Sequence, residues 1–137
     1  MERTIDPDRE QLSRVLKQVP QDTPIVMVNL LRFRDEAVYP DGHGAEPCTG
    51  AEAYHRYAQV AVEKIREVGG KPVWGGSVQA SLIAPPEEAW DEVVLVQYPS
   101  IGAFMDMIRQ EDYQAAAVHR TAALENARLI CTVEGQR

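Results

Sequence analysis

The sequence predicts an α+β fold in which helices cover one face of a four-stranded antiparallel sheet. Two observations carry most of this. Ile25 to Phe33 and Glu92 to Tyr98 are nearly continuous apolar runs of strand length, and the segments after Thr49 and Ser100 repeat apolar residues at helical spacing. A third is that the two kinds of segment alternate along the chain, which favours layers over a bundle or a sandwich.

Asp6 and Pro7 signal a helix start, because the carboxylate accepts unpaired amides and proline presets φ in the first turn. The helix runs to about Val19, where Pro20 and Pro24 bracket a turn. Ile25 to Phe33 is the first strand, apolar on both faces, and residues 34–48 form a long loop with charges, two prolines and two glycines. Thr49 and Glu52 fit a capping box, and the helix they open ends near Val68, ahead of Gly69 and Gly70. Its expected buried stripe is Tyr54, Ala58, Ala61, Ile65 and Val68.

Lys71 to Ala84 reads as a long strand bent by a bulge at Gly75 and Gly76. After a turn at Pro85 to Glu88, Glu92 to Tyr98 returns beside it as a hairpin. Ser100 caps a helix carrying Ile101, Phe104, Met105 and Ile108, and a second helix spans Asp112 to about Leu124. Arg128 to Val133 is the last strand. After the leading helix the order is βαββαβ, the ferredoxin-like plan. The chain divides into an N-terminal helical extension, 1–23, and a core, 24–133, of one domain; 137 residues leave no room for a second.

In this plan one sheet face is bare. Val94, Val96 and Tyr98 alternate with Val93, Leu95 and Gln97, while Val26, Val28 and Leu30 alternate with Met27, Asn29, Leu31 and Phe33. Neither set suits water, so an uncovered face would expose a contiguous apolar patch. A homodimer joined through the sheet face is the expected solution, unless the leading helix folds across that face.

Fourteen basic against twenty-one acidic residues give a net charge of −7. That balance repels nucleic acid and anionic membrane surfaces. The N-terminal segment MERTIDPDRE has no apolar signal core and no run reaches membrane-spanning length, so a cytoplasmic protein is expected. Cys48 and Cys131 are expected to be reduced thiols. No GxSxG, GxxxxGK[ST] or GxGxxG occurs, so hydrolase, nucleotidase and dinucleotide readings lack a motif.

The segments PIVMVNLLRF, TGAEAYHRY, GGKPVWGGSV, AWDEVVLVQYPSIGAFMDMI and DYQAAAVHRTAALENARLI occur in that order. Together they resemble the family known as domain of unknown function 1330, part of the dimeric α/β-barrel, ferredoxin-like superfamily. The resemblance runs from about Pro24 to Thr132 and implies a dimeric α/β barrel. That superfamily holds cofactor-independent monooxygenases, lactone isomerases and haem enzymes, so fold analogy does not select a reaction.

His119 is the leading candidate for proton transfer, since an unperturbed imidazole titrates near neutrality, and neighbouring Arg120 is the candidate anion contact. The alternative for this pair is packing, with Arg120 bound to Glu125 or Asp112. Asn29, Gln97 and either Ser77 or Gln79 are polar residues within apolar strands, suited to orienting a ligand or to pairing among themselves. Trp74, Tyr54, Tyr57 and Tyr113 could wall such a pocket or simply fill the core. His43, Cys48 and Asp41 match no strong zinc spacing, and no metal or cofactor is expected. His55 reads as an interfacial or surface residue.

Two functions fit. The first is a dimeric protein holding a small organic metabolite in a cleft near the dimer interface, where cofactor-independent isomerisation or oxygenation suits the residues better than hydrolysis. The alternative is a non-catalytic dimeric module that binds a metabolite or protein.

Overall fold

The computed structural model describes residues 1–135. Its elements run α1 (Arg9–Gln18), β1 (Ile25–Phe33), α2 (Gly50–Glu67), β2 (Lys71–Ser77), β3 (Glu92–Tyr98), α3 (Ile101–Ile108), α4 (Glu111–Ala123) and β4 (Leu124–Thr132). The strands form one antiparallel sheet in the order β2-β3-β1-β4. This is the α+β, ferredoxin-like arrangement, with α1 as the added helix. Among the described residues no helix is long and apolar enough to cross a membrane.

Local chemistry explains the boundaries. Thr49 accepts from the Glu52 amide at 3.1 Å and Glu52 from the Thr49 amide at 2.9 Å, completing the expected capping box. Gly69 ends that segment at φ +85°, a left-handed conformation that disfavours a β-carbon. Gly50 is fixed by crowding, because a β-carbon there would collide with the carbonyls of Arg34 and Ala123.

Four expectations are corrected. The α1 cap is Asp8, which accepts from the Glu10 amide at 3.2 Å. Asp6 is engaged elsewhere, accepting from the Thr121 hydroxyl at 2.7 Å. β2 stops at Ser77, the last residue paired with β3, at Glu92; one further bond joins the Val78 amide to the Asp91 carbonyl at 2.9 Å, and residues 78–91 are a loop whose Leu82 and Ile83 are 98% exposed. The register shift in β2 falls between Pro72 and Trp74, not at Gly75 and Gly76. Gly76 instead lies beneath the Trp74 indole, where a β-carbon would strike the ring. Finally, β4 begins at Leu124, straight from α4, because Leu124 pairs with Phe33 after a shift in β1.

Register separates the sheet faces. Ile25, Met27 and Leu31 of β1 share one face with Val96 and Tyr98 of β3, and all five are buried. That face carries α2, α3 and α4 through Tyr57, Ala61, Ile65, Ile101, Phe104, Met107 and Tyr113. In α2 the stripe falls on Ala53, Tyr57, Ala61 and Ile65, with Tyr54, Ala58 and Val68 only partly buried. Leu12, Val15, Leu16 and Val19 pack against this same cluster, so α1 lies on the helix side and does not cover the bare face. The opposite face presents Val26, Val28, Leu30, Val93 and Leu95, all partly exposed, with Ile130 at 47% and Trp74 at 57%.

Candidate functional site

Between the sheet and its helices lies an open cavity of about 1420 Å³. Met27, Asn29, Val94 and Val96 form its floor, Tyr54, Tyr57 and Ala61 of α2 and Tyr113 and Ala117 of α4 its walls. The N-terminal segment and α1 border it, through Ile5, Leu12 and Val15 among others. Alternation in the strands and the turn spacing of the helices bring these residues to one side.

Most of the wall is apolar, and the polar groups are few. Asn29 donates from Nδ2 to the Val94 carbonyl at 3.2 Å, leaving its side-chain oxygen without a partner among the described residues. The Tyr57 and Tyr113 hydroxyls bond each other at 2.8 Å, and both rings are buried. Burial, reinforced by neighbouring Tyr113 and Tyr54, pushes the Tyr57 phenol well up from its ordinary value. The Tyr54 phenol is pushed up to about 12, chiefly by burial, while Arg120 pulls the other way and Glu92 adds to the rise. Among the described residues the Tyr54 hydroxyl has no hydrogen-bond partner. Glu92, also in the lining, has its carboxyl pushed up by burial and by Asp91.

Arg120 reaches this wall from α4. One guanidinium nitrogen donates to the Ile5 carbonyl at 2.6 Å, tying the N-terminal segment to the helix, and the guanidinium lines the same cavity as Tyr54 and Tyr57. The acids considered as its partners bind elsewhere, Asp112 to Lys64 and Glu125 to Arg3 and Arg34.

His119 faces the other way, into the loop of residues 34–48. The loop is pinned to the end of α4 by the Arg34 amide on the Ala123 carbonyl at 2.8 Å and the Val38 amide on the Ala122 carbonyl at 2.9 Å. Tyr39 Oη lies 2.6 Å from His119 Nδ1. Arg56 of α2 donates from one nitrogen to Tyr39 Oη at 3.2 Å and to the Glu46 carbonyl at 3.1 Å. His43 stacks on the Tyr39 ring, with centroids 4.9 Å apart, and meets His119 edge-on at 5.7 Å. Burial, then the neighbouring His43 and Arg56, holds the His119 imidazole below its ordinary value.

The structure thus brings Asn29, Tyr54, Tyr113 and Arg120 to one cavity. Trp74 and Gln97 lie on the opposite sheet face, Gln97 opposite Val26 and Lys71 and Trp74 opposite Leu95. His55 is exposed near Gln59. Sequence reasoning passed over Tyr39 and Arg56, whose only signal is an aromatic residue in a polar loop and a cation on a helix flank. Tyr39 belongs to both groups, for it also lines the cavity.

Among solved structures, the chain is similar to RPA0582 from Rhodopseudomonas palustris, a protein of unknown function, at 39% identity, over 99% of this chain and 100% of that one, with a TM-score of 0.89. SnoaB from Streptomyces nogalater, a cofactor-independent oxygenase, matches at 16% identity over 84% of this chain and 96% of that one, with a TM-score of 0.51. A dimeric protein of unknown function with a ferredoxin-like fold, from Bacteroides fragilis, matches at 11% identity over 84% and 100%, with a TM-score of 0.52. These two share the fold alone. No curated protein matches the chain. The family model described as domain of unknown function (DUF1330) matches residues 46–135, and the chain belongs to that family.

Proposed function

We propose that the protein binds a small organic acid with an apolar or aromatic body in the cavity between sheet and helices, as one half of a homodimer joined through the free sheet face. The observation that carries the binding reading is Arg120, a cation that lines the same largely apolar cavity as Tyr54, Tyr57 and Asn29 and has no acid partner among the described residues. A ligand carboxylate would take the guanidinium, while Tyr54 Oη and the free oxygen of Asn29 supply orientation. Tyr113 braces Tyr57 from behind. His119, one step back from the cavity, is the proton-transfer candidate if the bound acid is turned over.

Two features support the homodimer. The free face carries Val26, Val28, Leu30, Val93, Leu95, Trp74 and Ile130, and Leu82 and Ile83 of the loop of residues 78–91 are almost completely exposed. One distant fold neighbour is described as dimeric. The cavity lies on the helix side, so each subunit would hold its own ligand behind the shared sheets. Trp74 and Gln97 then belong to the subunit contact.

Calorimetric titration with a series of aromatic carboxylates tests the binding reading. Saturable binding of about one molecule per chain is expected, weakened roughly ten- to hundredfold in Arg120→Leu, the range of a charge-assisted hydrogen bond. Arg120→Lys, which keeps the charge, should recover part of it. Equal binding of the corresponding neutral amides, or unchanged affinity in Arg120→Leu, would overturn the assignment.

A further inference from the structure

We infer that Tyr39, His119 and Arg56 form a proton-transfer relay at the rim of the cavity, with Tyr39 as its reactive phenol, His119 as the base behind it and Arg56 as the group that holds the oxygen. The place of the ligand in this inference rests on the cavity reading; the reactivity of Tyr39 rests on side-chain geometry alone.

Three elements converge on one oxygen. Tyr39 comes from the loop, His119 from α4 and Arg56 from α2, and the phenol oxygen contacts both of the others, at 2.6 Å and 3.2 Å. A guanidinium has only donors, so Arg56 occupies a lone pair of Oη. Among the described residues the sole acceptor within reach of the phenol O–H is then His119 Nδ1. The hydroxyl donates to Nδ1, and Nε2 carries the proton of the neutral ring. Burial, then His43 and Arg56, disfavours a positive charge on His119, which keeps the ring neutral and its Nδ1 lone pair free to accept a proton.

Proton movement along this path is balanced in charge. When the phenol proton passes to Nδ1, the phenolate is left against the guanidinium and the new imidazolium, two cations in direct contact. No carboxylate touches the phenol among the described residues. The ring is also held still, because His43 stacks on one face and the Val38 and His43 amides are bonded to Ala122 and Pro40. Proton transfer between Tyr39 and a ligand in the cavity needs such a fixed donor, since efficiency depends on geometry before acid strength. His119 acts through Tyr39, which makes it a positioning residue and proton acceptor.

Labelling with an aryl sulfonyl fluoride reads the relay without knowledge of the ligand. Tyr39 Oη attacks sulfur, an S–O bond forms, the S–F bond breaks with loss of fluoride, and the phenolic proton goes to His119 Nδ1. The chain has five tyrosines, so the four besides Tyr39 serve as internal comparators in peptide mass spectrometry. Tyr39 is expected to label at least tenfold faster than any other, with a rate that rises as pH climbs through the His119 titration. His119→Gln keeps an acceptor for the hydroxyl but no basicity, so it should lose at least tenfold at pH 7 and lose that pH step. Equal labelling of Tyr39 and the other tyrosines, or a wild-type rate and pH profile in His119→Gln, would overturn the relay. Protection of Tyr39 by 4-bromobenzoate supports the ligand's place beside it. Fast, His119-dependent labelling without protection would leave the relay standing and count against the cavity reading.

Discussion

Leu95→Asp should convert the proposed homodimer to monomers without unfolding the chain. Leu95 sits in the middle of the free face, opposite Val28 on one side and Trp74 on the other, and is partly exposed in the single chain. Fully burying a leucine stabilises by about 1.5–3 kcal/mol, and Leu95 has at most about a third of that left to gain, ~0.5–1 kcal/mol. A two-fold interface contains each position twice, so the pair of substitutions removes ~1–2 kcal/mol of apolar burial, and desolvating two carboxylates costs about 2 kcal/mol or more on top. At 1.4 kcal/mol per factor of ten, the dissociation constant rises by at least about 10²-fold. Sedimentation velocity at micromolar concentration is the assay. The wild type should run at twice the 15.3 kDa chain mass and Leu95→Asp at the single mass, with matching far-UV circular dichroism. A variant that still sediments as a dimer, or a wild type that sediments as a monomer, would rule out a dimer joined through this face.

Other outcomes follow from the same contacts. Leu31→Ala, at a wholly buried position, should lower stability by about 2–5 kcal/mol in urea titrations; a loss under 1 kcal/mol would mean the site collapses freely. Thr49→Ala should remove about 0.5–2 kcal/mol by breaking the capping box, as read by thermal melts. Because the folded state holds His119 below its unfolded value, the unfolded chain binds the proton more readily; the stability this residue contributes is complete above pH ~6.5 and is lost as pH falls through the folded value. Urea midpoints measured at several pH values should therefore decline more steeply toward acid in the wild type than in His119→Gln, and parallel slopes would contradict this.

Much of the architecture was readable from residue order. β1 and β3 fall on the expected boundaries because each is an apolar run closed by charge or proline, and the Thr49 box marks the start of α2 by chemistry that needs no tertiary partner. The length of β2 was not readable. Leu82 and Ile83 look like strand residues, yet a strand extends only as far as a neighbour can pair with it, and β3 begins at Glu92.

The candidate site was half visible for a related reason. Both alternating sets of β1 and β3 are apolar, so the sequence does not say which set the helices cover, and Asn29 and Gln97 look equivalent although they end on opposite faces. His119 stood out by residue type, but its partner is eighty positions away in a loop without periodicity. Tyr39 and Arg56 become significant only when α2, α4 and the loop meet.

Crystals of the protein grown with 4-bromobenzoate, measured at the bromine absorption edge, would locate the ligand directly. One anomalous peak per chain is expected within the cavity, with the carboxylate against Arg120 and the ring beside Tyr54. Bromine found only outside the cavity at saturating concentration, or a carboxylate turned away from Arg120, would contradict the proposed site.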